Sequence, residues 1–273
     1  MEEIVKVVDI EDVIRNGNNK FLKFLPGFVI RIMKRAVYQD EINETIHRSR
    51  HLSGVPFINE ILNGWKIKVD IKGSENIPSS GRYVLAANHP VGAMDALVFF
   101  SVVNRFFPEV ISPSNELLYH ITNLRPLLLP LNVFGKNTKE TTANLHNLFE
   151  SDTQVLIFPA GEVSRRKKGI ISDPVWKKSF IPKAIQYKRD IIPFYISGRN
   201  TNLFYNVANI RTSLGIKLYI ETLLLPREMM NQKNSTVTIT IGKVIPYQTF
   251  TDEYTHIEWA QKIRSIVYSL AKI

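Results

Sequence analysis

The sequence predicts an α/β fold: one domain with a mostly parallel central sheet flanked by helices, plus an N-terminal amphipathic helical extension. Two observations carry this. From residue 65 onward, apolar runs of four to seven residues alternate with stretches of helical spacing, a pattern that requires crossover connections between parallel strands. Ahead of that region, residues 1–50 read as helical, and no Gly/Ser/Pro-rich linker divides the 273-residue chain. The expected division is a helical, membrane-docking extension over residues 1–55 and a single domain over residues 56–273, a size within the range of one α/β unit.

In the extension, residues 20–37 hold five basic residues and no acidic ones, interleaved with Phe21, Leu22, Phe24, Leu25, Phe28, Val29, Ile30, Ile32 and Met33. Pro26-Gly27 breaks this stretch into two short helices. Bulky apolar side chains beside lysine and arginine suit a helix lying in a bilayer interface, with rings toward acyl chains and charges toward anionic head groups. The ordinary alternative is a packing helix with a solvated basic face. The stretch is too interrupted to span a bilayer, which takes about 20 apolar residues, and Met1-Glu2-Glu3 lacks the basic start of a secretory signal. The expected location is therefore peripheral, on the cytoplasmic face of the inner (plasma) membrane.

Within the domain, strands are expected at Trp65–Ile71, Arg82–Ala87, Glu109–Ser112, Leu127–Leu131, Gln154–Phe158, Ile191–Ile196, Ile216–Glu221 and Val237–Ile241. Helices are expected at Met94–Val103, Asn137–Glu150 and Ile257–Lys272. In parallel sheets, functional residues gather where strands end and loops begin.

Composition narrows the function. Hydrophobic residues make up 44% of the chain, enough for a sizeable core. Cysteine is absent, which excludes disulfides, thiolate metal sites and cysteine nucleophiles. A net charge of +10 draws the protein toward anionic partners: a membrane surface, phosphorylated small molecules or nucleic acid. No base-stacking platform or recognition-helix motif is present, so nucleic acid is not an expected partner. No Gly-x-Gly-x-x-Gly, phosphate loop or Gly-x-Ser-x-Gly elbow occurs, which removes support for a bound nucleotide cofactor or a serine hydrolase. His47 and His51 would share a helix face, but no third ligand lies nearby, and no metal is expected.

The most informative segment is Ala86-Ala87-Asn88-His89-Pro90-Val91-Gly92-Ala93-Met94-Asp95. A short apolar strand ends at His89, and Asp95 falls in the first turn of the next helix. From there its carboxylate can fold back to accept the imidazole N–H, fixing the tautomer and stabilising the imidazolium once the ring has taken a proton from a hydroxyl. Gly92 and Ala93 leave room for a substrate. The bland reading is a strand-capping histidine beside an aspartate favoured by a helix N-terminus. A second feature is the strand Val155–Phe158, which ends at Pro159, opens into Gly161 and leads to Arg165-Arg166-Lys167-Lys168. Residues 165–190 contain nine Lys/Arg against two Asp, a composition suited to holding an anionic head group if this strand end lies beside His89.

These segments resemble the glycerolipid (lysophosphatidate-type, 1-acylglycerol-phosphate) acyltransferases, in particular their hemolysin-related bacterial branch. Asn88-His89 with Asp95 is similar to that family's first motif block, and Leu131-Asn132-Val133-Phe134-Gly135-Lys136 stands in the place of the second. Phe158-Pro159-Ala160-Gly161-Glu162-Val163-Ser164-Arg165 resembles the third block, and Ile191-Ile192-Pro193-Phe194 the fourth. Five residues rather than four separate His89 from Asp95. Ala160 stands where the family has glutamate, with Glu162 two positions later, and Arg165 falls two positions after the usual arginine.

The resemblance implies a membrane-associated transferase of lipid metabolism and phospholipid biosynthesis. His89 would be the base and Asp95 its partner, and Asn88, Lys136, Gly161, Glu162, Ser164 and Arg165 would bind substrate. No cofactor is implied beyond acyl-CoA or acyl carrier protein as co-substrate. The default acceptor is a lysophosphatidate-like lyso-lipid, and the altered second and third blocks make a glycine- or ornithine-type amino-acid lyso-lipid the alternative. Amides near Gly161 are candidates for an oxyanion site, and Leu97, Phe99 and Phe100 for an acyl groove. A non-catalytic protein binding anionic membranes through the same basic surface is the reading from another class.

Overall fold

The computed structural model describes residues 9–16, 26–131, 138–217 and 219–272. Among the described residues seven strands build the sheet: β1 (Lys68–Lys72), β2 (Tyr83–Ala87), β3 (Val110–Asn115), β4 (Leu128–Leu131), β5 (Gln154–Ile157), β8 (Asp190–Ile196) and β9 (Thr236–Ile241). Two further strands, β6 (Arg165–Lys167) and β7 (Ile170–Ser172), form a separate antiparallel hairpin. The order across the sheet is β1-β9-β8-β2-β5-β3-β4. Every neighbouring pair is parallel except β8 with β9. After β2 the chain moves to one side of the sheet and after β5 to the other, so the crevice at their shared carboxyl ends is where a ligand site is expected.

The buried strand β2 is apolar at every position because both faces are covered. Leu85 and Ala87 face a core shared with α4 (Val55–Gly64) and α5 (Ala93–Val103), where Phe57, Ile61, Val98 and Phe99 pack. Val84 and Ala86 face the opposite core, formed with α7 (Lys139–Glu150), α8 (Phe180–Gln186) and α11 (His256–Ser269) around Trp176, Ile181 and Ile263. Helix α5 is buried almost all round, which is why its sequence lacks a polar face. Phe99 and Phe100 are completely enclosed and Leu97 nearly so. These three are core residues and line no open acyl groove.

Two expected strands change. Residues Trp65 to Ile67 close α4, with Lys66 at φ 54, so β1 starts at Lys68. The segment Ile216–Glu221 is not a strand among its described residues: Ile216 is exposed and Ile220–Leu224 is a 3₁₀ turn. Its alternation is real, but among the described residues it pairs with no strand. Glu221 turns inward to pair with arginines instead.

In the extension, α1 (Ile10–Asn16) and α2 (Gly27–Ala36) pack on each other through Ile10, Ile14, Ile30 and Met33. Pro26 sits at the N-cap of α2, where its missing N–H costs nothing. Phe28 and Ile32, on the outer face, are 64% and 60% exposed. Phe21, Leu22, Phe24 and Leu25 lie outside the described residues. Ile42 and Ile46 of α3 (Gln39–Arg48) join the main core, so packing continues across residue 55.

Arg189, fully buried, ends the turn before β8 and donates to the carbonyls of Phe149 (2.8 Å), Thr153 (2.9 Å), Leu148 (3.1 Å) and Tyr83 (3.3 Å), and to that of Ser151. These include the final carbonyls of α7, groups that need partners when a helix end is buried. Burial, opposed only weakly by Asp152, pulls its guanidinium down to about 10, still charged at neutral pH. Replacing it by Arg189→Met orphans several buried carbonyls, and at roughly 1–3 kcal/mol for each that stays dry we expect a loss of about 4 kcal/mol. The midpoint of urea unfolding measures this.

Candidate active site

Strands β8, β2 and β5 end together, and three of the expected motif segments meet there. Asn88, the first residue past β2, donates from Nδ2 to the Ile196 carbonyl (2.9 Å) and accepts from the Ile196 N–H (2.7 Å). Its side chain thus extends the pairing of β2 with β8 by one rung. Asn88 is buried and both polar ends are engaged, so it holds the strand ends rather than a substrate.

The next residue, His89, leaves the sheet. Its Nδ1 lies 2.9 Å from Asp95 Oδ2, and that oxygen also accepts the N–H groups of Val91 and Gly92, each at 2.8 Å. Asp95 is 1% exposed, sits in the first turn of α5 and closes the loop as a capping residue. A carboxylate has no proton to give, so Nδ1 carries the hydrogen and Nε2 presents its lone pair. The imidazole stacks on Phe158 (centroids 4.2 Å, planes 24° apart), and the His89 side chain keeps 18% of its surface open. Among the described residues nothing bonds Nε2. This arrangement can take a proton from a hydroxyl and hold the positive charge that results.

Between His89 and Asp95 the loop turns at Gly92, which adopts φ 122, a conformation that favours glycine. Its open space is not left for substrate: a Cβ there would lie 3.4 Å from Leu225 and 3.6 Å from Val163. Leu225 begins α10 (Leu225–Met230), so residues 219–230 form a wall over the loop after His89.

Gly161 has φ 68 and sits under the Lys177 ammonium, 2.7 Å from where a Cβ would be. Its N–H is engaged with the Phe158 carbonyl (3.0 Å), so the Gly161 amide itself is not an oxyanion donor. Ser164, expected at substrate, faces inward instead. It is 2% exposed, its hydroxyl donates to Asp173 (2.6 Å), and its N–H donates to the His89 carbonyl (2.7 Å). Lys136 lies outside the described residues. Arg125, a weaker candidate, donates to the carbonyl of Tyr119, the last residue of the short helix α6 (Glu116–Tyr119), at some distance in sequence from these segments.

Glu162 and Arg165 do come together, at 3.3 Å. A third partner meets them: Glu221, fully buried, lies 3.2 Å from Arg165, and its other oxygen lies 2.8 Å from Arg211 on α9 (Asn202–Ser213). Tyr219 donates to Glu162 (3.4 Å) and lies under the Arg211 guanidinium (4.5 Å). Two arginines and two glutamates are therefore balanced here, and the excess positive charge expected at this strand end is largely neutralised at Arg165. Lys177, Asp173, Arg211 and Glu221 were not singled out from the sequence. For Asp173 a signal existed, since it is one of only two acids in the basic run 165–190. Glu221→Ala strands two mostly buried arginines, and we expect a loss of about 3–5 kcal/mol in unfolding free energy, checked by chemical denaturation, with Glu221→Gln losing less.

The chain matches the family model described as Acyltransferase over residues 13–271. It is 40% identical over 265 residues, 97% of each chain, to a lyso-glycine lipid O-acyltransferase of Bacteroides thetaiotaomicron. It is 37% identical to another of that name from Phocaeicola vulgatus, over 98% of this chain and 97% of the relative. A crystal structure of the 1-acyl-sn-glycerophosphate acyltransferase from Thermotoga maritima is similar at a TM-score of 0.45 and 15% identity, covering 89% of this chain and 95% of that one. Matched by the family and by both relatives over nearly its whole length, the chain belongs to the acyltransferase family.

Proposed function

We propose that the protein moves a fatty acyl group from a thioester donor, acyl-CoA or acyl carrier protein, to the hydroxyl of an amino-acid lyso-lipid of the glycine type. In such an acceptor the N-acyl chain carries the free hydroxyl and the head group ends in a carboxylate. The carrying observation is the hydrogen bond from His89 to a buried Asp95 at a shared strand end, in a side chain that keeps part of its surface open and whose Nε2 meets no partner among the described residues. Nε2 takes the proton of the acceptor hydroxyl as its oxygen attacks the thioester carbonyl carbon. The C–S bond then breaks, and the thiolate recovers the proton from the imidazolium. Asp95 fixes the tautomer and offsets the charge in between.

Two observations favour the amino-acid acceptor over a lysophosphatidate. Both relatives identical at 37–40% are named for a lyso-glycine lipid. Arg165 already faces Glu162 and Glu221, so a phosphate dianion here would approach two carboxylates, whereas a singly charged head group meets less repulsion.

The membrane reading rests on α2, which carries Phe28 and Ile32 exposed on one face with Arg31 and Arg35 exposed beside them. No helix among the described residues is long and apolar enough to cross a bilayer. A peripheral seat on an anionic, cytoplasmic leaflet follows as part of the proposal.

With labelled donor, purified protein is expected to acylate the lyso-glycine lipid in preference to 1-acylglycerol 3-phosphate; the reverse preference overturns the acceptor assignment. His89→Ala is expected to lower kcat by about 10³-fold or more, and Asp95→Asn by about 10²-fold, effects of the size that general-base catalysis supplies. Phe28→Ser with Ile32→Ser is expected to weaken binding to anionic vesicles about tenfold or more by removing apolar contact, while transfer to acceptor in detergent micelles is retained. Unchanged vesicle affinity would remove α2 from the docking surface.

A further inference from the structure

One buried group touches His89 without taking part in the proton transfer. Asp173, just past the β6–β7 hairpin, is 3% exposed. Its Oδ1 accepts the backbone N–H of His89 (3.1 Å) and the Ser164 hydroxyl (2.6 Å), and its Oδ2 accepts the Trp176 indole N–H (2.9 Å). The Ser164 N–H returns to the His89 carbonyl (2.7 Å). A closed ring of hydrogen bonds thus runs from the amide of His89 through Asp173 and Ser164 to its carbonyl. Helix α11 fastens the main chain of Asp173: its N–H donates to the Tyr268 hydroxyl (2.7 Å), and its carbonyl accepts from Arg264 (2.7 Å).

We propose that Asp173 is a positioning residue for the transfer: a buried anion that clamps the backbone of His89 and so aims Nε2, and whose charge supports the imidazolium formed during the reaction. The inference rests on the reading of His89 as the base.

All three side-chain partners of Asp173 are donors, so the site suits a carboxylate and not an amide. An asparagine would turn an NH2 group toward either the Trp176 N–H or the pair from His89 and Ser164. Burying an anion is costly unless it is paired or richly bonded. Arg264 bonds the Asp173 backbone, not its carboxylate, and Lys177 points to the Gly161 turn. The other ionisable groups near this carboxylate are Asp95 beyond the imidazole, Tyr268 on α11 and Tyr195 on β8. Burial first, and the charge of Asp173 next, raise both tyrosine hydroxyls above their usual range, so they stay neutral. The cation that appears beside Asp173 in the reaction is His89 itself.

The test uses the full chain with Asp173→Asn, following kcat, KM for acceptor, the pH dependence of kcat/KM, and the imidazole titration of His89 by NMR. Removing an anion makes the imidazolium easier to deprotonate. The His89 titration and the acidic limb of kcat/KM are both expected to move to lower pH by about half a unit to one unit. We expect kcat to fall about tenfold or more, with KM nearly unchanged, the mark of an interaction made in the transition state. Ser164→Ala removes one donor but keeps the charge, and is expected to move the same titration upward. It serves as the readout if Asp173→Asn does not fold. The proposal is overturned if the His89 titration stays put in the variants, even where kcat falls, since Asp173 is then a structural bracket alone. Full transfer by His89→Ala would instead remove the base reading, and the NMR titration would still report whether the two groups are coupled.

Discussion

Three parallel strands stop side by side, and the site depends on that. Val84 of β2 pairs with Val155 of β5 on one side and Ile191 of β8 on the other, so the three carboxyl ends fall at one level. His89 leaves the first, Phe158 the second, and the loop after Ile196 the third. The imidazole is held against an aromatic ring because parallel pairing delivers both to the same edge. Asn88 secures that level by adding one rung of side-chain pairing where the main chain has turned away.

Beyond the strand ends the site is governed by where buried charge is compensated. Asp95 gathers three N–H donors on one oxygen, and Asp173 gathers three donors on two. Glu221 is compensated by two arginines. The first two flank the histidine, one through its ring and one through its backbone. The third lies in the wall that covers Gly92. A net charge of +10 for the chain therefore does not fix the field at Arg165, because Glu221, distant in sequence, is folded against Arg165 and Arg211.

The fold was legible because β2, β5 and β8 are short, apolar and bounded by turns, and the pairing of His89 with Asp95 because both lie within one loop. What was not legible came from long range. Ile216–Glu221 alternates like a strand, yet the deciding fact is a glutamate meeting arginines from two other segments. Asn88 and Ser164 occupy motif positions and look like substrate contacts, but each points into the protein to satisfy a neighbouring backbone or carboxylate. Leu97, Phe99 and Phe100 read equally well as groove or core, and only the packing of α5 against the sheet separates the two. Spacing says nothing about Asp173, whose partners are spread from residue 89 to residue 268.

The placing of α11 after β9 has a temporal consequence. After β9, which runs antiparallel to β8, the chain returns as α11 to pack on β8, and Tyr268 and Arg264 of that helix fasten the backbone of Asp173. The loop bearing His89 is thus fastened, through Asp173, by side chains far downstream of it in the sequence. In the N-to-C order of synthesis β2, β5 and β8 precede α11, so the hydrogen bonds that fasten Asp173 beneath the His89 loop can form only after all three strands have been made.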